Sequence, residues 1–324
     1  MTQSATATLT RTIRIGVDIG GTKTETVAID ADNNVLHTLR RPTGFGADEV
    51  LRSLHTVVSE LRGTPALDGL PVTSLGIGIP GTVDTATGLV SSAVNVGLGS
   101  LELGALAQGE HGLPVTVEND VNAAALGAHH VLGTTEQSRS SAYLNLGTGL
   151  AAGYVSCGQL VRGASGAAGE IGHLTLGLLD EPCPCGQRGC LELVASGSGI
   201  ARQWRGGGRW PAVSLFNDAA AGNPEARSIQ QRFFHGTATA IRILGLTFDP
   251  ASIYVGGGLN ALGQPLLTGI REELKKADAR SPFLAGLSLG QRVSLVPPGL
   301  PIGSIGAAIA GSTHVHTPQP QQQR

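Results

Sequence analysis

The stretch IRIGVDIGGTKTETVAID, residues 13–30, decides the fold. Ile13 to Ile19 is β-branched and partly alternating, which reads as a strand, and Glu25 to Asp30 reads as a second one. Between them Gly20-Gly21-Thr22-Lys23 is turn chemistry, so the pair forms an antiparallel hairpin. The arrangement returns downstream, where strands Ser141 to Leu146 and Leu150 to Val155 flank Gly147-Thr148-Gly149. Two halves of the chain each open with a Gly-turned hairpin.

Working outward, the first half continues with a strand from Val35 to Arg40 and a helix from Asp48 to Leu61 with apolar residues at Val50, Leu51, Leu54, Val57, Val58 and Leu61. A strand from Ser74 to Ile79 stops at Pro80-Gly81, and a strand from Val115 to Glu118 leads into a helix from Val121 to Val131. The second half carries helices at Ser198–Trp204, Leu215–Ala221 and Glu225–Leu246, strands at Ser252–Val255 and Arg292–Val296, and a last helix from Ser304 to Ala310. The whole reads as an α/β protein. Residues 1–12 and 313–324 are polar and read as flexible tails, His314 and His316 among them.

With 324 residues, 41% hydrophobic and 14% charged, the chain can bury a sizeable core in one or two domains. Lys plus Arg number 22 against 24 Asp plus Glu, so no basic surplus points to nucleic acid or an anionic membrane. Glycine reaches 48 residues, about twice the usual share, without a collagen period, which makes Gly-rich ligand loops worth seeking. The first dozen residues lack the apolar core of a secretory signal and no apolar run spans a membrane, so the expectation is a cytoplasmic protein.

The turn from Asp18 to Thr24 gathers a carboxylate, bare amides, two hydroxyls and an ammonium, groups that suit phosphate and a metal shell. A plain Gly turn with an exposed lysine is the alternative. It is not a P-loop, because Thr22 stands where that motif needs lysine and a strand follows instead of a helix. Gly76-Ile77-Gly78-Ile79-Pro80-Gly81 matches the dinucleotide spacing, yet no helix opens at it, so a sharp bend is the better reading. Gly147-Thr148-Gly149 offers a second cradle, and Gly256-Gly257-Gly258 would let a flat ligand approach the backbone. Asp120, at a helix start, is either an N-cap or a base that accepts a hydroxyl proton, and Asn119 beside it is free to take the capping.

His173 with Cys183, Cys185 and Cys190 supplies one imidazole and three thiols, bent together by Pro184, Gly186 and Gly189, and fits a structural Cys3His zinc centre. Disulfide and iron–sulfur uses are opposed by the cytoplasmic setting and by the histidine. Cys157, on an expected strand, reads as a small core residue. Glu170 and Glu192 flank the cluster and suit bidentate bonds to vicinal sugar hydroxyls, or are surface charges.

With Asp18-Ile-Gly-Gly-Thr-Lys23, Glu118-Asn-Asp-Val-Asn122, Gly169-Glu-Ile-Gly-His173 and Cys183-x-Cys-Gly-x-x-Gly-Cys-x-Glu192 assembled, the chain resembles ROK-family sugar kinases of the actin-like, hexokinase-type superfamily over residues 13–312. The resemblance implies two actin-like, ribonuclease H-like domains with an interdomain cleft, residues 13–119 plus 300–312 and residues 120–299, the last helix returning to the first. It implies ATP-dependent transfer to a hexose, glucose at its 6-hydroxyl first, with an N-acetylhexosamine, fructose or a silent sugar sensor as alternatives. Asp120 is then the base, and Asn119, Glu170, His173 and Glu192 surround the sugar, with residues 92–106 in its wall. ATP and Mg²⁺ fall to Asp18, Gly20, Gly21, Thr22, Lys23, Gly147, Thr148 and Gly149, the adenosine to Gly256, Gly257 and Gly258, and homodimers are expected. Leu150-Ala151-Ala152 departs from the family's extra glycine, and Ala128 stands where relatives carry Glu. A DNA-binding family member would carry a helix-turn-helix before Ile13, where only about a dozen mostly polar residues stand.

Overall fold

A computed structural model of the chain describes residues 11–133 and 139–313, so the expected tails fall outside the described residues apart from their innermost positions. It divides into two compact units, one of residues up to Gly127 with Pro301 onward and one of Ala128–Leu300.

In the first unit the elements run β1 (Ile13–Ile19), β2 (Lys23–Ile29), β3 (Val35–Pro42), α1 (Ala47–Arg62), β4 (Val72–Ile79), β5 (Thr82–Asp84), β6 (Leu89–Ala93), β7 (Leu98–Leu101), α2 (Leu103–His111), β8 (Val115–Asn119) and α3 (Asp120–Leu132), whose last residues belong to the second unit. The main sheet has the order β3-β2-β1-β4-β8, antiparallel through β1–β2–β3 and parallel through β1–β4–β8, and β5-β6-β7 form a small antiparallel sheet. Strand alternation sorts the two faces of the main sheet. Ile15, Val17, Leu75, Ile77 and Ile79 join the core with Val50, Leu54, Val57, Val58 and Leu61 of α1. The opposite face presents glycines, and there the backbones meet. A Cβ on Gly76 would lie 1.7 Å from the Ala307 carbonyl oxygen, and one on Gly16 would lie 1.9 Å from that of Ser304. Ser304 and Ala307 belong to the last helix, which the resemblance returns to this unit. The dinucleotide-like spacing at Gly76 and Gly78 is thus packing, since Gly78 faces Ala123 of α3.

The second unit repeats the plan. It holds β9 (Ser140–Leu146), β10 (Leu150–Ser156), β11 (Gln159–Leu160), α4 (Gly197–Gln203), α5 (Pro211–Ala220), α6 (Pro224–Phe248), β12 (Ser252–Gly256), α7 (Gln264–Asp278), α8 (Pro282–Leu287), α9 (Leu289–Arg292) and β13 (Val293–Leu295); α10 (Ile302–Thr313) then completes the first unit. Sheet order β11-β10-β9-β12-β13 matches that of the first unit in both sequence of strands and direction. Leu144, Leu146, Ile253 and Val255 form its core with Phe233 and Ile241 of α6 and Leu266, Ile270 and Leu274 of α7. Helix α7 is absent from the sequence reading, although Pro265 in its first turn and the spacing of Leu266, Leu267, Ile270 and Leu274 mark it. Cys157 corrects an expectation: it is exposed, past the end of β10, in a left-handed turn with φ +49°, and is no core residue. No helix among the described residues is long and apolar enough to cross a membrane.

Candidate functional site

In the first unit the Gly turn is closed by a hydrogen bond from the Gly20 amide to the Lys23 carbonyl at 3.0 Å. Lys23 is the first residue of β2 and is exposed. Gly21 passes so close to Asn95 that a Cβ would meet its carbonyl oxygen at 3.1 Å, so the one-turn helix Val94–Val96 rests on the turn. One strand residue earlier, Asp18 is paired in register with Glu25. Its carboxylate lies against Gly303 in the first turn of α10, where a Cβ would overlap it. Burial, then the nearby Asp120 and Glu25 carboxylates, raise the Asp18 pKa to about 7 against a weaker pull from Lys23. A carboxyl so poised recovers its charge when a cation arrives.

At the end of β8 the capping question is resolved. The Asn119 Oδ1 accepts from the Val121 and Asn122 amides at 3.0 and 3.2 Å, so Asn119 caps α3. Its Nδ2 donates to the Gly81 carbonyl at 3.1 Å, tying the helix start to the bend after β4. Buried Glu118 accepts from the Asn119 amide at 3.0 Å and from Asn122 Nδ2 at 3.2 Å. Asp120 is half-buried, and its Oδ1 accepts from the Val121 amide at 2.9 Å. The carboxylate is therefore oriented by a network in which Asn119 does the capping. Glu118, Asn122 and Gly303 act in this placement without having been assigned a task from the sequence, and Gly303 carries no sequence signal because its partner is Asp18.

In the second unit Gly147-Thr148-Gly149 joins β9 to β10 and leaves Thr148 exposed. The amides of Gly197 and Ser198 donate to the carbonyls of Gly147 and Thr148 at 2.8 and 3.0 Å, and Ser196 caps α4 by accepting from Gly199 at 3.0 Å. Glu192 turns its Oε2 to this loop, accepting from the Leu150 amide at 3.0 Å, and a Cβ on Gly149 would meet that oxygen. Glu192 is thus brought to the loop itself, a contact the sequence does not announce. Gly169 and Gly172 press the following segment onto β10: a Cβ on the first would lie 1.8 Å from the Ala152 carbonyl and on the second 2.1 Å from that of Leu150. Held this way, Glu170 is exposed and its Oε2 stands 4.0 Å from His173 Nε2.

The other imidazole nitrogen, Nδ1 of His173, is buried without a hydrogen-bond partner among the described residues. It belongs to a cluster with Cys183, Cys185 and Cys190 whose ligand atoms lie within 4.8 Å of one another. Gln187 braces the loop by donating from Nε2 to the His173 carbonyl at 3.2 Å and accepting at its own carbonyl from the Cys183 amide at 2.8 Å. Hydrogen bonding from the Gln187 amide lowers the Cys185 pKa to about 6, and burial pushes that of Cys190 up to about 12. An orphaned nitrogen facing three thiols is the donor set of a tetrahedral zinc site.

Gly256, Gly257 and Gly258 follow β12. A Cβ on Gly256 would strike the Tyr143 ring at 2.6 Å, and Gly257 has φ +81° with Asn145 and Leu146 against it, so packing and turn geometry account for these two. Gly258 alone has open space beside it.

Residues 14–284 match the ROK family. The chain is 31% identical over 293 residues to a glucokinase of Halalkalibacterium halodurans, covering 81% of this chain and 84% of that one. It is equally 31% identical over 269 residues to an N-acetylmannosamine kinase of Citrobacter koseri, covering 82% and 89%. Among solved structures, a ROK family glucokinase from Streptomyces griseus in complex with glucose and AMPPNP superposes with a TM-score of 0.74 at 29% identity, covering 93% of this chain and 99% of that one.

Proposed function

The chain belongs to the ROK family, and we propose that it is an ATP-dependent hexose kinase that passes the γ-phosphoryl group to a sugar hydroxyl, the 6-hydroxyl of glucose being the first acceptor to test. The observation that carries this reading is Asp120, a carboxylate fixed at a helix start whose capping is done by Asn119. In the reaction Asp120 accepts the proton of the attacking hydroxyl, and the Asn119 amide donates to a neighbouring one. In the second unit Glu170, His173 through Nε2, and Glu192 through the oxygen not held by Leu150 bind further hydroxyls. The bare amides of the Gly20–Lys23 turn and of Gly147–Gly149, with Thr22, Thr148 and Lys23, receive phosphate oxygens. Gly256, Gly257 and Gly258 stay in the reading as the adenosine side, with Gly258 the position where a ligand has room.

Two inorganic cofactors belong to this proposal. Hard carboxylate chemistry at Asp18 fits Mg²⁺, which neutralises phosphate charge when bound. His173, Cys183, Cys185 and Cys190 fit zinc in a structural role that fixes Glu170 and Glu192 through their neighbours. A cytoplasmic location and homodimers complete it, as the resemblance implies.

Wild-type protein incubated with ATP, Mg²⁺ and a panel of aldohexoses, N-acetylhexosamines and fructose should release ADP only with an accepted sugar. Asp120→Asn should cut that turnover by roughly 10²- to 10⁴-fold while sugar binding persists. Absence of turnover with every sugar from folded, zinc-loaded protein would overturn the kinase reading. The equal identity to an N-acetylmannosamine kinase favours N-acetylhexosamine as the second acceptor class.

A further inference from the structure

The second unit contains a cavity of about 540 Å³ to which the kinase reading gives no task. It runs along β13, the edge strand of the sheet, opens to solvent, and is bordered by Leu132 of α3 and by Gly286, Leu287, Ser288, Gln291 and Arg292. Tyr254 and Ser294 are register partners across β12 and β13, so their side chains leave the same sheet face, and both line this space.

Two features there are unusual. Tyr254 is 4% exposed, yet its hydroxyl has no hydrogen-bond partner among the described residues. A buried hydroxyl left unpaired costs about 1–3 kcal/mol, so such groups ordinarily meet a partner. The second is Arg271, which reaches the cavity from α7 with Nη2 donating to the Val293 carbonyl at 2.8 Å and has no carboxylate partner among the described residues. Arg292, by contrast, is paired with Asp249. No carboxylate is among the residues lining the cavity. Its polar groups are therefore a guanidinium, a phenol O–H, serine hydroxyls and an amide at Gln291, a wall rich in donors with positive charge.

We propose that this cavity binds a phosphate monoester of a small polyol, its oxyanion recognised by Arg271 and the Tyr254 hydroxyl. Guanidinium geometry matches two oxygens of a tetrahedral oxyanion, and a phenol O–H supplies the third donor. The volume exceeds what phosphate fills, and Ser288, Gln291 and Leu287 give the remainder of the ligand both polar and apolar wall. None of the residues lining it is among those assigned to the kinase reaction, and the proposal does not depend on that assignment.

Calorimetric titration of the full chain with glucose 6-phosphate, inorganic phosphate and glucose tests it. With the kinase site saturated by glucose, one further equivalent of glucose 6-phosphate is expected to bind, with an affinity that falls roughly tenfold or more in Arg271→Gln and several-fold in Tyr254→Phe; inorganic phosphate should bind this site more weakly, and the affinity for glucose should be the same in both variants as in the wild type. Tyr254→Phe should melt no lower than the wild type, and both variants should keep wild-type sugar-dependent ADP release when no phosphate ester is added. Titrations unchanged by Arg271→Gln would sink the proposal. So would inorganic phosphate binding as tightly as the ester, which assigns the cavity to free phosphate, or a melting point lowered by several degrees in Tyr254→Phe, which would reveal a structural partner for the hydroxyl.

Discussion

Replacing Asp18 with asparagine should stabilise the ligand-free protein, and most strongly at neutral to alkaline pH. Burial and the Asp120 and Glu25 carboxylates raise the Asp18 pKa from 3.8 to about 7. An acid whose folded-state pKa lies above its unfolded one favours the folded state fully below pH 3.8, and that favour is lost as the pH rises to about 7. Three pKa units correspond to a ceiling of about 4 kcal/mol, and solvent reaching the half-buried residue cuts this to roughly 2 kcal/mol. Asparagine keeps the shape beside Gly303 but cannot ionise, so it escapes the penalty. At pH 8 its melting temperature should exceed that of the wild type by about 4–8 °C, given 2–4 °C per kcal/mol for units of this size. At pH 5 the gain should fall to less than half, because the folded wild type then holds its proton. Thermal unfolding at the two pH values, without nucleotide or divalent cation, measures both. A variant less stable than wild type at pH 8, or a gain that does not shrink on acidification, would refute the reasoning. The same substitution should abolish Mg²⁺-dependent turnover, stability and function trading against each other at one carboxylate.

Other consequences are equally direct. Gly76→Ala pushes a methyl into the Ala307 carbonyl and should cost about 3 kcal/mol or more, seen as loss of soluble protein or a steep drop in denaturant midpoint, whereas Gly258→Ala should fold normally and raise the KM for ATP. Asn119→Ala removes the α3 cap and the tie to Gly81 and should lower stability by about 1–2 kcal/mol in urea titration, together with kcat. Elemental analysis should find one zinc per chain, released in Cys183→Ala with loss of sugar affinity as the Glu170 and Glu192 supports loosen; full zinc content in that variant would exclude the cluster as the site.

The candidate residues are legible in the sequence because most of them are local. Asp18 with its Gly turn, Asn119 with Asp120, and the three thiols of Cys183–Cys190 each occupy a short segment, and the fold adds His173 to the thiols, with candidate ligand atoms within 4.8 Å of one another. What stayed hidden are contacts between segments distant in sequence. Glu192 reads as one carboxylate after a cysteine until the fold sets it against the Leu150 amide, 42 residues away. Cys157 looks like a core residue because a small apolar-looking residue after an apolar run continues the strand pattern, whereas the chain has already turned there. Helix α7 carries its apolar spacing in the sequence at Leu266, Leu267, Ile270 and Leu274.

By itself the sequence determined the two hairpin-led halves, the periodicity of their strands and helices, and the residue types gathered in each motif, because these depend on interactions between near neighbours. The tertiary structure alone sets Glu192 against the Leu150 amide, holds the proton of Asp18 to about pH 7, and requires glycine at positions Gly16 and Gly76. Those outcomes depend on how closely one backbone approaches another and on how much water is left beside a charge. Both are properties of packing between segments up to nearly three hundred residues apart, and no local pattern encodes them.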